Sequence, residues 1–217
     1  MSKLSLMLQS KSLAEMAKRK PYVKKLAGVT YEVLPNVYKG STDTELICKN
    51  LKIRKNEAVW DIGTGTGLVA LYAKRMGAGY VLATDLNPDA VKNARRNATA
   101  LGLEIDVRKA DVFGTIAKKF DLIIFNPPFT DHAVQKTHDV SFWDKDHLTV
   151  KKFFKGVRTH LTKNGRALIC WSSFAKTHVI KTIAKNYGFS LTELARKTGK
   201  RNFVYYVYKL KTLSKAQ

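Results

Sequence analysis

The chain has 217 residues, 45% of them hydrophobic, and a formal net charge of +22, which suits one globular domain with a short extension and excludes a small disulfide- or metal-stapled scaffold. Its only two cysteines, Cys48 and Cys170, lie far apart without metal-ligand neighbours and read as small buried thiols of a reducing compartment. No apolar run nears the roughly 20 residues that span a membrane, and the N-terminus MSKLSLMLQSKSLAEMAKRK lacks an apolar stretch followed by a small-residue cleavage site, so the chain reads as soluble and cytoplasmic, with no membrane partner.

Residues 3–19 have the spacing of an amphipathic helix, using Leu4, Leu8 and Met16. TYEVLPNVY (30–38) is extended with a bend at Pro35, and STDTELICKNL (41–51) opens on cap-type residues and continues as a helix. From residue 57 on, strands and helices alternate. EAVWDIG (57–63) is a strand closing on glycine, GLVALYAKRMGA (67–78) a helix, YVLATDLN (80–87) a strand, and PDAVKNARRNATALG (88–102) a helix with Pro88 in its first turn. EIDVRKADV (104–112) and FDLIIFN (120–126) are further strands. DHLTVKKFFKGVRTHLTKNG (146–165) is a helix, RALICWSS (166–173) a strand and FAKTHVIKTIAKNYG (174–188) a helix. The runs 189–196 and 203–210 are separated only by the basic turn KTGKR, so they form an antiparallel hairpin. Alternating βα units imply a mainly parallel sheet covered on both faces, to which the hairpin adds an antiparallel strand.

The charge is segregated along the chain. Residues 1–40 hold 8 Lys and Arg against 2 acids, residues 41–150 hold 15 against 14, and residues 151–217 hold 16 against the single acid Glu193. A balanced middle between two basic flanks points to a polyanionic partner, most simply nucleic acid.

DIGTGTG (61–67) puts Gly63, Gly65 and Gly67 at a strand-to-helix turn, where glycine lets the backbone turn sharply and approach a ligand. The dinucleotide fingerprint would place glycine at 68, where Leu68 stands, and a phosphate-binding P-loop would need a following Gly-Lys pair that is missing. Asp61 directly before the loop suits a ligand carrying positive charge. Asp85, at the end of the next strand, can accept both hydroxyls of a ribose, and Asp111 ends the third strand in the same way. Three acids at the carboxyl ends of successive strands occupy the edge at which such sheets bind ligands.

DIGTGTG, TDLN, KADV and NPPF together resemble the class I S-adenosylmethionine-dependent methyltransferases, in the branch that methylates exocyclic or side-chain amide nitrogens through an Asn/Asp-Pro-Pro-aromatic motif. The resemblance covers roughly residues 41–210. It implies a Rossmann-like α/β fold with a seven-stranded, mainly parallel sheet and an antiparallel terminal hairpin strand, a methyltransferase domain over 41–217, and a basic N-terminal extension over 1–40. It further implies S-adenosylmethionine as cofactor, with Asp61, Gly63, Thr64, Gly65 and Gly67 around the methionine moiety. Asp85 with Leu86 would then hold the ribose and Asp111 with Val112 the adenine, and Asn126 would border the methyl group. LPNVYKGSTDTELI (34–47) is similar to the segment preceding the glycine loop in release-factor glutamine methyltransferases, which puts Thr42 and Thr44 beside the cofactor. Lys39-Gly40-Ser41 departs from their proline-containing version, and Phe129 stands where they typically carry tyrosine.

The strand FDLIIFN delivers Asn126, Pro127, Pro128 and Phe129 to the same edge. An amino group conjugated to a ring or carbonyl is a poor nucleophile because its lone pair is delocalised. The Asn126 side-chain oxygen and the Pro127 backbone oxygen can accept its two N–H groups, hold it in line and favour a pyramidal nitrogen. The two prolines stiffen that geometry before substrate arrives, and Phe129 offers a face for a stacked base. His132, His138 and His147 fit no zinc pattern, so no metal is expected. Their loop, with Phe142 and Trp143, reads equally as a substrate-facing lid or as a solvated connection.

The leading expectation is methylation of an exocyclic amine of an RNA base, N6 of adenine or N2 of guanine, in ribosomal or transfer RNA. Lys18, Arg19, Lys20, Lys24, Lys25, Lys197, Lys200 and Arg201 are the expected phosphate contacts. The alternatives are methylation of a glutamine amide on a translation factor, with a protein as partner, and a non-catalytic RNA-binding module that kept the fold.

Overall fold

The structure is a computed structural model that describes residues 3–213. Its centre is strand β6, Phe120–Phe125, preceded in the chain by α1 (Lys3–Lys18), β1 (Tyr22–Leu26), β2 (Val29–Val33), α2 (Thr42–Asn50), β3 (Ala58–Ile62), α3 (Leu68–Arg75), β4 (Tyr80–Asp85), α4 (Pro88–Ala100) and β5 (Asp106–Lys109). It is followed by α5 (Leu148–His160), β7 (Leu161–Ser172), α6 (Thr177–Asn186), β8 (Phe189–Thr198) and β9 (Val204–Thr212). Seven of these strands form one sheet in the order β5-β4-β3-β6-β7-β9-β8. All neighbours are parallel except β9, which runs antiparallel to both β7 and β8.

The run Leu122-Ile123-Ile124 in β6 is completely buried, as a central parallel strand covered on both faces requires. Around it Trp60, Phe113, Phe120, Phe125, Phe153, Phe154 and Trp171 belong to one continuous apolar core. At the amino ends of the strands, Glu57 is buried and receives the Arg166 guanidinium, so neither charge is left uncompensated. Cys48 and Cys170 are free and buried, and burial pushes both thiols up. Among the described residues no helix is long and apolar enough to cross a membrane.

Three local features differ from the sequence reading. The helix expected over 146–165 ends at His160, and β7 begins at Leu161. The Asn164-Gly165 turn signal is real, but it falls in an irregularity where Phe120 pairs with Leu161 and Leu122 with Arg166, so extra residues loop out of a strand instead of ending a helix. The strand expected over 104–112 is shortened to four residues. An unforeseen hairpin pairs β1 with β2 through Ala27 and Gly28, both at positive φ (49° and 76°), the two-residue turn whose twist matches its strands.

That hairpin is fastened to the sheet by two buried asparagines on α4. Asn97 accepts from Glu32 N (2.8 Å) and donates to the carbonyls of Glu32 (2.9 Å) and Thr66 (2.8 Å). Asn93 accepts from Leu34 N (2.9 Å) and donates to Glu32 O (2.9 Å). Val29, Tyr31 and Val33 thereby enter the main core. Beyond them, Leu13 and Met16 of α1 form a second small cluster with Trp143. The side chains of Leu4 and Leu8, expected on the same helix face, lie outside the described residues.

Because Thr66 O belongs to the glycine loop, Asn97 joins hairpin, helix and loop through one amide. Asn97→Ala removes the side-chain partner of Glu32 N and of Thr66 O, and leaves Glu32 O with Asn93 alone. It is expected to destabilise the protein by about 2–4 kcal/mol in urea or guanidinium unfolding, whereas the exposed neighbour change Arg96→Ala should cost less than about 1 kcal/mol.

Candidate active site

The carboxyl ends of β3, β4 and β6 lie side by side, with Asp61 in register with Ala83 and Ile124. The loop between β3 and α3 turns on Gly63, Gly65 and Gly67, all at positive φ (66°, 56° and 85°). At Gly67 a Cβ would stand 3.0 Å from Ala94 Cβ and 3.1 Å from Ala94 Cα, so the loop can seat against α4 only with glycine there. Thr64 N donates to Thr84 O at 2.9 Å, which ties the loop to the neighbouring strand.

Two buried acids at the ends of β3 and β4 adjoin this loop. Asp61 is 2% exposed and accepts from the Thr64 hydroxyl at 2.6 Å. Burial pushes its carboxyl up from the ordinary 3.8 to about 7, with Thr64 and the Ala70 N–H opposing the rise and the Asp85 charge adding to it. Asp85 accepts from the N–H groups of Gly65 and Asn87, both at 2.9 Å, and burial likewise pushes it up. No ion pair among the described residues reaches either acid. Two buried carboxylates without a cation fit a ligand that brings positive charge, such as the ammonium and sulfonium of S-adenosylmethionine. Leu86 is exposed beside them. Asp111 is exposed and paired with Lys152, and Val112 is buried in the left-handed region (φ 53°), a strained conformation for a β-branched residue.

At the end of β6, Asn126 donates through Nδ2 to Asp43 Oδ2 at 2.7 Å, and the Tyr38 hydroxyl donates to Asp43 Oδ1 at 2.9 Å. Asp43, in the first turn of α2, is 2% exposed. Asn126 Oδ1 is buried and has no hydrogen-bond partner among the described residues, so its acceptor capacity is unused within the chain. Thr44 Oγ1 caps the start of α2 by accepting from Ser41 N. Pro127, Pro128 and Phe129 are buried, and Phe129 packs edge-on against Trp171 and Phe174 with ring centroids 5.6 Å away in each case.

A cavity of about 710 Å³ opens from Asn126, Pro127 and Phe129. Tyr38, Phe142, Phe174, Phe203 and Tyr205 give it aromatic walls, and α1 closes one side with Gln9, Ser12 and Glu15. Gln9 is 9% exposed and its Oε1, like the Oδ1 of Asn126, is buried without a partner. Phe142 lines the cavity and Trp143 packs under α1, while Thr130 and Asp144 pair through their backbones. The loop divides between the two readings, with Ser141 and Phe142 lining the cavity while residues 133–137 are exposed.

The basic residues divide into groups. Arg19 and Lys24 from the N-terminal flank and Lys200 and Arg201 from the β8–β9 turn all line the same cavity, joined by Lys39. Lys18, Lys20 and Lys25 are exposed outside its lining, and Lys197 is paired with Glu45 at 2.9 Å. Sequence reasoning missed Asp43, Tyr38 and Gln9. An acid in the first turn of a helix reads as an ordinary N-terminal charge, and only its contact with a residue 83 positions away separates it from that role.

Comparison with known proteins agrees with this architecture. Residues 34–208 match the family model described as "Methyltransferase small domain". A Methanocaldococcus jannaschii protein named "Putative protein N5-glutamine methyltransferase" is 32% identical over 177 residues, covering 79% of this chain and 90% of that protein. The ribosomal RNA small subunit methyltransferase C of Haemophilus influenzae is 31% identical over 153 residues, covering 69% of this chain but only 43% of its own length. Among solved structures, the T. thermophilus 16S rRNA N2 methyltransferase in complex with AdoMet and guanosine superposes with a TM-score of 0.67 at 20% identity, over 90% of this chain and 50% of that one.

The buried Asp61 sets a pH dependence of the cofactor-free chain. Its folded value is raised, so the protonated form is favoured on folding and stability drains away as pH rises from about 4 to about 7, then stays level. Asp61→Asn, which removes the charge, is therefore expected to gain on the parent progressively across that window. The gain reaches an upper bound on the order of 4 kcal/mol above pH 7 and is read as the difference in unfolding midpoints at pH 5 and pH 8.

Proposed function

The chain belongs to the methyltransferase small domain family and is an S-adenosylmethionine-dependent methyltransferase, and on that premise we propose that it methylates an exocyclic amine of an RNA base, N6 of adenine or N2 of guanine, in ribosomal or transfer RNA of the cytoplasm. The observation that carries this reading is one cavity that joins an unpaired buried acceptor, Asn126 Oδ1, to cationic side chains from both ends of the chain. A planar base fits between the aromatic walls, and a phosphate backbone fits the rim of Arg19, Lys24, Lys39, Lys200 and Arg201.

In this proposal Asp61, Gly63, Thr64, Gly65 and Gly67 hold the methionine end of the cofactor, Asp85 and Leu86 its ribose, and Asp111 and Val112 its adenine, with Thr44 and Asn126 nearby. S-adenosylmethionine supplies a methyl carbon activated by a sulfonium leaving group. Asn126 Oδ1 and the Pro127 carbonyl accept the two N–H groups of the substrate amine. They fix its direction of attack and favour a pyramidal nitrogen. Pro128 stiffens the turn and Phe129 supports the planar ring. The nitrogen keeps its hydrogen bond to Asn126 as the N–C bond forms, and its surplus proton passes to solvent afterwards. Asp61, ionised by its cationic ligand, anchors the cofactor's ammonium.

A glutamine amide presents the same pair of N–H groups to Asn126 and Pro127, and the name carried by the M. jannaschii relative favours that second reading. The rim supports the RNA reading, because Arg19, Lys24, Lys39, Lys200 and Arg201 outnumber the acids Glu15, Asp43 and Glu45 in the same lining, an excess that suits a polyanion better than a neutral amide.

Labelled methyl groups offered to total RNA and to total protein should appear in RNA, and appearance in protein alone would overturn the RNA reading. Asn126→Ala is expected to lower the transfer rate at least about a thousandfold while cofactor affinity, measured calorimetrically, changes less than threefold. Replacing Lys200 and Arg201 together by alanine should weaken RNA binding and reduce the slope of log affinity against log salt by about 1.4, two phosphate contacts at roughly 0.7 each.

A further inference from the structure

We propose that Asp43 is the positioning residue that fixes which end of the Asn126 amide faces the substrate. The inference rests on reading Asn126 Oδ1 as the acceptor for the substrate amine. An asparagine amide has nearly the same shape with its oxygen and nitrogen exchanged. Sterics alone therefore leave two orientations open, and only one of them can work. With Oδ1 toward the cavity, Asn126 accepts an N–H. Rotated by half a turn, it would present its own NH2 to an amine, donor against donor.

Asp43 removes that second orientation. A carboxylate only accepts hydrogen bonds, so the Asn126 atom 2.7 Å from Asp43 Oδ2 has to be the nitrogen. Rotation would set the amide oxygen against a carboxylate oxygen in a site where Asp43 is 2% exposed and little solvent can soften the repulsion. The opposite amide atom is then the oxygen, and it is this oxygen that is buried without a partner. One hydrogen bond thus accounts for the orientation of the unpaired acceptor.

Asp43 is itself held on two sides. Its other oxygen accepts from the Tyr38 hydroxyl at 2.9 Å. Burial, with the nearby Asp43 charge, pushes the Tyr38 phenol well above its ordinary value, so the hydroxyl stays a donor. Asp43 also sits in the first turn of the nine-residue helix α2, where free backbone N–H groups and the helix dipole favour a negative charge. Tyr38, Asp43 and Asn126 all line the cavity, so the chain of bonds ends at the place where the substrate amine would be held.

Asp43→Asn tests the idea with little change of shape, because an asparagine at this position can meet Asn126 with either its oxygen or its NH2 and no longer selects one orientation. At saturating S-adenosylmethionine, single-turnover methyl transfer to RNA is expected to fall at least tenfold in Asp43→Asn. Affinity for S-adenosylhomocysteine should stay within threefold. In the cofactor-free protein the side-chain NH2 signal of Asn126, identified by its loss in Asn126→Ala, should show slow exchange with water in the parent and at least tenfold faster exchange in Asp43→Asn. A parent-like rate in the folded variant, or an unchanged amide signal, would overturn the proposal. The amide measurement needs no substrate, so a parent chain that methylates no RNA sinks the RNA reading while the orientation lock is still decided. Should Asp43→Asn fail to fold, Tyr38→Phe is the second variant. It loosens only the far oxygen and is expected to cut the rate threefold to tenfold at unchanged cofactor affinity, and a parent-like rate there would equally overturn the lock.

Discussion

The hydrogen bond from Asn126 to Asp43 is the contact on which the arrangement of the site turns, because it lets a polar acceptor stay unpaired in a dry place. A buried polar atom without a partner costs roughly 1–3 kcal/mol, and here the surrounding structure is over-determined enough to keep one. β6 holds Asn126 at the sheet edge with three completely buried residues behind it. Pro127 and Pro128 restrict the chain immediately after it. Asp43 and Tyr38 fix the amide from the side. An acceptor placed in this way loses little freedom when a donor arrives.

The same economy shapes the cofactor side. Asp61 and Asp85 are buried together, and each is pushed up by the loss of water. Left alone, each holds its proton more readily than an ordinary carboxylate, and a cation beside it favours the ionised form. The glycine loop between them gains nothing from this conflict, yet it is held firmly, by Gly67 against Ala94, by Thr64 on Thr84 and by Asn97 on Thr66. The loop's shape is thus held by packing and hydrogen bonds elsewhere in the fold, while the two acids stay without a cation among the described residues.

Much of this was legible in the sequence because it is local. Three glycines in DIGTGTG, acids at the ends of β3 and β4 and the NPPF turn are short-range patterns, and the β/α alternation with a closing hairpin carried the fold class, whereas Asp111 lies two residues past the end of β5. The strand β7 was half missed because Asn164-Gly165 carries the chemistry of a turn, and only pairing with Phe120 shows that it is an irregularity within a strand. The β1–β2 hairpin was missed because Ala27 is an unusual residue for its turn, and its core contacts come from α4, more than 60 residues later. Asp43 and Gln9 were illegible for the same reason. Each is an ordinary residue on an ordinary helix until a distant element is folded against it.

The charge pattern shows how segregation along a sequence becomes a feature in space. The two basic flanks are separated by a nearly neutral stretch of 110 residues, and a chain could have dispersed them over opposite faces. The antiparallel return of β9 instead puts the β8–β9 turn, with Lys200 and Arg201, at the cavity mouth, and α1 with the hairpin brings Arg19 and Lys24 to the same rim from the other end. Like charges gathered so closely repel one another and lower stability on their own. Arg19 and Lys24 spend part of their donor capacity on backbone carbonyls, at Met16 and at Lys39 and Gly40, while Lys197 is neutralised by Glu45. Lys200 and Arg201 enter no ion pair among the described residues and stand exposed. The pair at the mouth of the aromatic cavity is thus left unneutralised by the chain itself, and a polyanion seated there would relieve the repulsion.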